Sequence, residues 1–249
     1  MRLSNKVAYY MRVAARYIED PHQLRMRRPY FLPEMYMALG KPWVQKLGVR
    51  TILDIGASVG NFAFTVRPLF PDATIYSFEP LPDQFAELQR NLAGVERLHT
   101  FNFGVGDQDT ELVIHESQHP PSSSFLDMGD LHKEAFPTAA PVTKEVPVRV
   151  VRLDNMQGQL DLAAPLLIKI DVQGYELHVL RGGEQTLRQA QVVIVEASFQ
   201  PLYQGGPLFT DVFQTMTDLG FIYQGALDTL VDPERGLLLQ EDSLYVRRG

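Results

Sequence analysis

The sequence of 249 residues contains no cysteine, which excludes disulfide frameworks, thiolate zinc sites and cysteine nucleophiles. It has no apolar run near the roughly 18 residues that a membrane-spanning helix needs. The first twenty residues alternate charged and apolar side chains, unlike a secretory signal. Lysine and arginine number 23 against 30 acidic residues, which argues against nucleic acid as the main partner. We therefore expect a cytoplasmic protein without a membrane segment or a nucleic-acid partner.

Two kinds of hydrophobic pattern divide the chain. Residues 1–47 show the three- and four-residue spacing of helices, which predicts a helical N-terminal extension. In residues 48–249, short apolar runs alternate with helical periods, an order typical of a doubly wound, mostly parallel α/β sheet with helices on both faces. The seven predicted strands of this sheet are TILDI, TIYSFE, LHTFNFGV, LLIKID, VVIVEA, FIYQG and SLYVRR.

An irregular segment lies between the two halves of the predicted sheet. From about residue 115 to residue 143 the chain is rich in Pro and Ser and has no sustained period, although apolar runs that resemble strands flank it. Long irregular segments inside a compact domain are often functional lids or binding loops, and otherwise disordered. We expect a lid or a substrate loop here.

The turn LDIGASVGNF after the first predicted strand carries the strongest ligand-binding signal. In doubly wound sheets, ligands bind outside the carboxyl ends of the strands, and a glycine there lets the backbone pass close to the ligand. Asn61 follows Gly60 where a phosphate-binding P-loop requires lysine. Ser58 stands where the dinucleotide fingerprint requires its middle glycine. A nucleoside ligand without phosphates, such as S-adenosylmethionine, does not need that clearance.

Acidic residues at strand ends support a nucleoside ligand. Glu79 stands 19 residues beyond Gly60, where a carboxylate accepts hydrogen bonds from both ribose hydroxyls. Asp107 lies in GVGDQD after the third strand, where its side chain could recognise an adenine amino group. Asp54 could face a ligand ammonium through water or backbone. The predicted cofactor-binding residues are Asp54, Gly56, Ala57, Ser58, Gly60, Asn61, Glu79, Pro80, Gly106, Asp107 and Asp171.

A charged pair interrupts the apolar strand LLIKID. Lys169 and Asp171 are two residues apart, so their side chains are expected to point the same way. A buried charged pair is costly unless it is paired, and the explanations are a reactive site or an ion pair that braces the sheet. Glu196, which ends VVIVEA, is expected nearby. The two carboxylates could hold a substrate hydroxyl, pair with Lys169 or bind a divalent cation; without a clear third ligand, we predict no metal site.

With these motifs in hand, the chain resembles the FkbM family of S-adenosylmethionine-dependent methyltransferases. The matching pieces span residues 51 to about 246 and are LDIGASVGNF, IYSFEP, NFGVGD, PSSSF, VRLDNM, LLIKIDVQGYELHVLRGG and IVEASFQPLY. The resemblance implies a Rossmann-like class I methyltransferase fold, S-adenosyl-L-methionine as cofactor, and a hydroxylated small-molecule acceptor such as a sugar or polyketide. Many members carry Glu where this chain has Gln173, so no family role of that carboxylate is carried over.

The implied reaction is an in-line displacement at a methyl group, in which the protein aligns the reacting atoms and excludes water. Asp171, helped by Lys169, is the first candidate for orienting or deprotonating the acceptor. A histidine of the irregular segment, His115, His119 or His132, is the second, unless these side chains are merely solvated. The alternatives are an NAD(P)-dependent oxidoreductase and a non-catalytic S-adenosylmethionine-binding protein. The sequence leaves open whether the chain forms a homodimer.

Overall fold

The computed structural model describes residues 31–117, 123–135, 142–232 and 234–248. The helix predicted over the first thirty residues, His119 and parts of the predicted irregular segment therefore lie outside the described residues. Within them the strands are β1 Thr51–Ile55, β2 Thr74–Phe78, β3 Leu98–Phe101, β4 Gly104–Gly106, β5 Thr110–Ser117, β6 Val142–Arg152, β7 Leu166–Ile170, β8 Ala190–Ser198, β9 Phe221–Val231 and β10 Leu238–Arg247.

The helices of the described residues are short. They are α1 Pro33–Leu39, α2 Pro42–Gln45, α3 Asn61–Val66, α4 Pro82–Asn91, α5 Asp130–Ala135, α6 Glu176–Gly182, α7 Glu184–Leu187 and α8 Phe209–Asp218, with a 3₁₀ helix at Leu153–Met156. Pro42 separates α1 from α2, because proline favours the first position of a new helix over the interior of an old one. None of the described helices has the length and apolar character needed to cross a membrane.

The large sheet has seven strands in the order β3-β2-β1-β7-β8-β10-β9. β1 is parallel to β2 and to β7, and β7 is parallel to β8. β10 is antiparallel to both of its neighbours, β8 and β9. This arrangement confirms the predicted doubly wound, mostly parallel α/β sheet. The order reverses between β1 and β7, so the carboxyl ends of these strands form the crevice where such folds bind ligands.

Apolar layers cover both faces of this sheet. Leu53 and Ile168 belong to one buried cluster, whereas Ile52 and Leu167 belong to another, as the alternation of side chains along a strand requires. Val44 of α2 packs into the same cluster as Ile52. The described part of residues 1–47 thus shares the core of the sheet, and the division at residue 48 stays a prediction.

A second sheet of three strands, β4-β6-β5, corrects one predicted strand. LHTFNFGV is not one strand, because β3 ends at Phe101 and Gly104–Gly106 pairs with β6 instead. The side-chain amide of Asn102 donates to the backbone carbonyls of Glu79 and Pro80, at 2.9 and 3.0 Å. These bonds anchor the chain where it leaves the large sheet.

The irregular segment is shorter than predicted. β5 extends to Ser117 and β6 begins at Val142, so His115 lies in a strand. Residues 123–135 include α5, and Met128 packs with Tyr203 in a small apolar cluster. Backbone bridges connect Met128 to Tyr203 and His115 to Ser124. Action of this segment as a lid stays a prediction.

Candidate functional site

A cleft lies at the carboxyl ends of β1, β2 and β7. The floor comes from the segments that follow the three strands, and the cover comes from the second sheet and from residues 123–125. The polar residues that line the cleft are Ser58, Glu79, Gln84, Ser123, Ser124, Asp171 and Gln173.

The glycine turn after β1 is packed against the chain itself. Gly56 has φ +81°, and a Cβ there would overlap the backbone carbonyl of Asp171. Gly60 has φ +94°, and a Cβ there would lie 2.8 Å from the side chain of Leu92. Both glycines are therefore required by internal packing, whatever the ligand. Gly56 brings the turn after β1 into direct contact with the segment after β7.

Glu79 lines the cleft directly after β2, although only 6% of the residue is exposed. Its two oxygens accept the backbone N–H groups of Ser58 and Leu81, each at 2.8 Å. Burial raises the pKa of Glu79 to about 7, against the opposing effect of these two hydrogen bonds. Each carboxylate oxygen can accept a second hydrogen bond, so a pair of ligand hydroxyls fits this group.

Asp171 presents the second carboxylate, directly after β7. Its Oδ2 lies 3.0 Å from Nζ of Lys169, which also lies 4.0 Å from Oδ1 of Asp54. Burial raises the pKa of Asp54 to about 6, and the charge of Lys169 opposes that rise. Burial disfavours the charged lysine, yet Asp171 and Asp54 hold its pKa above the ordinary value. Lys169 thus stays charged and fixes one oxygen of Asp171.

Gln173 forms a hydrogen bond with the other oxygen of Asp171. Its Nε2 donates to Asp171 Oδ1 at 2.7 Å and to Glu196 Oε2 at 2.8 Å, and its Oε1 accepts the hydroxyl of Tyr203. Burial, and then repulsion by Asp171, raises the pKa of Glu196 well above its ordinary value. Sequence reasoning treated Gln173 only as a missing charge. The polar residue inside the motif IDVQGYE was the available signal for this contact.

Some of the predicted cofactor residues line the cleft, and the others do not. The residues that line the cleft are Gly56, Ser58, Glu79, Pro80 and Asp171. The residues that lie outside the lining are Asp54, Ala57, Gly60, Asn61, Gly106, Asp107 and the proposed catalytic partner Lys169.

Asp107 has partners of its own away from the cleft. Its carboxylate lies 2.9 Å from Nδ1 of His178, and its carbonyl accepts a hydrogen bond from Arg152. Asp107 is not among the residues that line the cleft, and its role in adenine recognition stays a prediction. The preceding Gly106 packs against Gly182, whose Cβ, if present, would overlap the Gly106 carbonyl.

Neither described histidine of the irregular segment lines the cleft. His115 lies 3.8 Å from carboxylate oxygens of Asp127 and Glu145. His132 is buried, with its ring edge-on to Tyr203 at a centroid distance of 5.3 Å. Among the described residues, no group of three or more His, Asp and Glu side chains is placed to hold a metal ion.

The charge of the lining restricts the ligand chemistry. Glu79 and Asp171 are the acidic groups, and no Lys, Arg or His occurs among the described residues that line the cleft. A pyrophosphate would be repelled by both carboxylates. A ligand with hydroxyl donors at one end and a positive charge at the other fits both.

Comparison with known proteins gives a consistent assignment. The family profile described as "Methyltransferase FkbM domain" matches residues 54–223. Curated relatives include the 2-O-methyltransferase NoeI of Sinorhizobium fredii, 31% identical over 62% of this chain and 65% of the relative. Another is the hexuronic acid methyltransferase AglP of Haloferax volcanii, 29% identical over 57% of this chain and 54% of the relative. The chain thus spans about half to two thirds of their length.

Among solved structures, the chain is similar to the methyltransferase FkbM from Methylobacillus flagellatus KT. The TM-score is 0.47 at 17% identity, and the alignment covers 88% of this chain and 48% of that one. The family match covers more than half of the chain and includes the turn after β1, Glu79, Asp171 and Gln173. The chain belongs to the FkbM family of methyltransferases.

Proposed function

We propose that the protein transfers the methyl group of S-adenosylmethionine to a hydroxyl oxygen of a small-molecule acceptor. The observation that carries the proposal is one cleft with a carboxylate on each side of β1, Glu79 and Asp171, and no basic side chain among its described lining residues. Family membership supports methyl transfer. The names of two relatives, a 2-O-methyltransferase and a hexuronic acid methyltransferase, support a sugar-like acceptor.

The residues at the Glu79 end would hold the nucleoside part of the cofactor. The Glu79 carboxylate is fixed by two backbone N–H groups and accepts the ribose hydroxyls with its remaining lone pairs. Phe78, Pro80, Leu81 and Phe125 supply apolar lining for a purine ring. Neither interaction requires a metal or a phosphate.

The residues at the Asp171 end would serve the reaction. When bound, the cofactor supplies an electrophilic methyl group on a positively charged sulfur. Asp171 accepts the proton of the acceptor hydroxyl or orients that hydroxyl by a hydrogen bond. Lys169, on the preceding strand β7, holds the carboxylate in place by an ion pair. The second sheet covers the cleft and keeps water from competing with the acceptor.

Calorimetric titration tests the proposal first at the level of the ligand. S-adenosylmethionine and S-adenosylhomocysteine are expected to bind, and NAD is not, because its pyrophosphate meets two carboxylates. A methyl-transfer screen with labelled cofactor and hydroxylated sugars then tests the acceptor class. Binding of NAD in place of S-adenosylmethionine would favour the oxidoreductase, and cofactor binding without any transfer would favour a non-catalytic binding protein. The cytoplasmic location stays a prediction from composition.

A further inference from the structure

The side chain of Gln173 connects the candidate catalytic carboxylate to two other groups. Its two N–H groups donate to Asp171 and Glu196, and its carbonyl oxygen accepts the hydroxyl of Tyr203. Carboxylates accept hydrogen bonds and a hydroxyl can donate one, so this orientation of the amide pairs each donor with an acceptor. Both the amide nitrogen and the amide oxygen therefore have hydrogen-bond partners.

The backbone of Gln173 is held in an uncommon conformation. Its φ of +54° lies in the left-handed region, which non-glycine residues rarely adopt and which often marks functional sites. The Glu176 carboxylate accepts the N–H of Gly174, and a Cβ on Gly174 would come within 2.9 Å of Tyr203. The hydroxyl of Ser124 donates to the Gln173 carbonyl. Contacts from three parts of the chain thus place the amide between two carboxylates.

Asp171 lies among acidic side chains, with one lysine beside them. The charged and titratable groups that interact with it are Lys169 on β7, Asp54 on β1, Glu176 on α6, Glu196 on β8, Asp242 on β10 and Tyr203 in the loop after β8. Lys169 is the one positive charge in this set. A neutral N–H donor between Asp171 and Glu196 stabilises a carboxylate without adding another negative charge.

We propose that Gln173 is a positioning residue for methyl transfer, which holds the Asp171 carboxylate in one orientation beside the methyl group. The inference rests on the proposed function. Lys169 fixes Oδ2 and Gln173 fixes Oδ1, so the carboxylate cannot rotate without losing one of the two bonds. The amide acts through Asp171 and needs no contact with the cofactor.

The test compares the affinities of two ligands by calorimetry at one pH. S-adenosylmethionine carries a permanent positive charge on sulfur, and S-adenosylhomocysteine does not. The ratio of their affinities therefore reports how well a carboxylate is placed beside the sulfur. In Gln173→Met, which removes the N–H donor, this ratio is expected to fall about 2- to 10-fold towards that of Asp171→Asn, while the affinity for S-adenosylhomocysteine stays at the wild-type value.

A second variant keeps the test decisive if the methionine variant does not fold. Gln173→Ala removes the same donor with a smaller side chain, and its ratio of affinities is expected to fall in the same way. Gln189→Met is the matched control, because it makes the same substitution on an exposed residue just before β8, at the opposite end of that strand from Glu196. Its ratio is expected to equal that of the wild type.

The outcomes distinguish this inference from the function on which it rests. If the wild type binds both ligands and the folded Gln173 variants keep the wild-type ratio of affinities, Gln173 has no positioning role. If the wild type binds neither ligand, the proposed function is wrong and this inference falls with it. Thermal unfolding of each variant establishes that it is folded before its affinities are compared.

Discussion

At the scale of single residues, the two carboxylates of the cleft are proposed to have separable roles. Asp171→Asn keeps the shape of the side chain and removes its charge. We expect turnover to fall about 100-fold, the usual contribution of a general base. S-adenosylhomocysteine, with its neutral sulfur, should bind as it does to the wild type. Asp218→Asn, an exposed change at the end of α8, is the matched control. Retained turnover with lost binding of S-adenosylhomocysteine would make Asp171 a cofactor ligand.

Glu79 should behave differently, because the ribose is common to both ligands. In Glu79→Ala, the ribose hydroxyls lose their acceptor, which costs about 1–3 kcal/mol, or roughly 5- to 150-fold in affinity. We expect equal losses for S-adenosylmethionine and S-adenosylhomocysteine, measured by calorimetry. A loss confined to S-adenosylmethionine would place Glu79 near the sulfur instead, and unchanged affinity for both would remove it from the cofactor site.

At the scale of elements, sequence patterns predicted the strands of the large sheet better than the second sheet. Buried strands such as β1 and β7 are short, mainly apolar runs, so their local composition identifies them. The end of β3 depends on Asn102, whose amide reaches the carbonyls of Glu79 and Pro80. Such a contact between distant segments leaves no local pattern. Asp107 follows the same departure from the large sheet, and its role in adenine recognition stays a prediction.

The site was predictable to the extent that strand ends identify it. Glu79 and Asp171 follow β2 and β7, so the rule for doubly wound sheets places both in one crevice. Tyr203 and Ser124 reach the same crevice from a loop and from the irregular segment. Nothing in their local sequence predicts where those segments fold back. Gln173 was visible in the sequence, but its hydrogen bonds to both sides were not.

The segment of residues 123–135 should respond to the cofactor. Ser124 and Phe125 line the cleft, and Ser124 is bonded to Gln173, so a bound ligand adds contacts to this segment. We expect its amide hydrogens to exchange more slowly with S-adenosylmethionine present, measured by mass spectrometry. β9, at the far edge of the large sheet, is the internal reference and should not change. Equal exchange in both states would remove the lid hypothesis.

At the scale of the whole molecule, buried carboxylates should make stability depend on pH. Burial is the largest cause that raises the pKa of Asp54 to about 6, and of Glu79, Glu176 and Asp242 to about 7. A folded-state pKa above the ordinary value means that the folded chain binds protons more tightly. The resulting stabilisation is complete below the ordinary pKa and is lost as the pH rises through about 6 to 7.

We therefore expect the free energy of unfolding of the ligand-free protein to fall between about pH 5 and 8. A single shift of about two units corresponds to about 3 kcal/mol, so the decrease should be at least of that order. Denaturant unfolding at the two pH values measures it. Glu79→Gln should show a smaller decrease, because it removes one of the titrating groups. Stability that is equal or greater at the higher pH would contradict this account of the buried carboxylates.

The contact between Gly56 and the Asp171 carbonyl affects the choice of an inactive enzyme for genetic experiments. Gly56, in the predicted cofactor turn, is a natural position for a substitution intended to inactivate the enzyme. Here a Cβ at Gly56 would displace the segment that carries Asp171 and Gln173. Such an allele would combine a cofactor defect with a damaged reaction centre and a strained fold, and its phenotype would identify none of them. Glu79→Ala and Asp171→Asn, used as a pair, separate loss of cofactor from loss of chemistry.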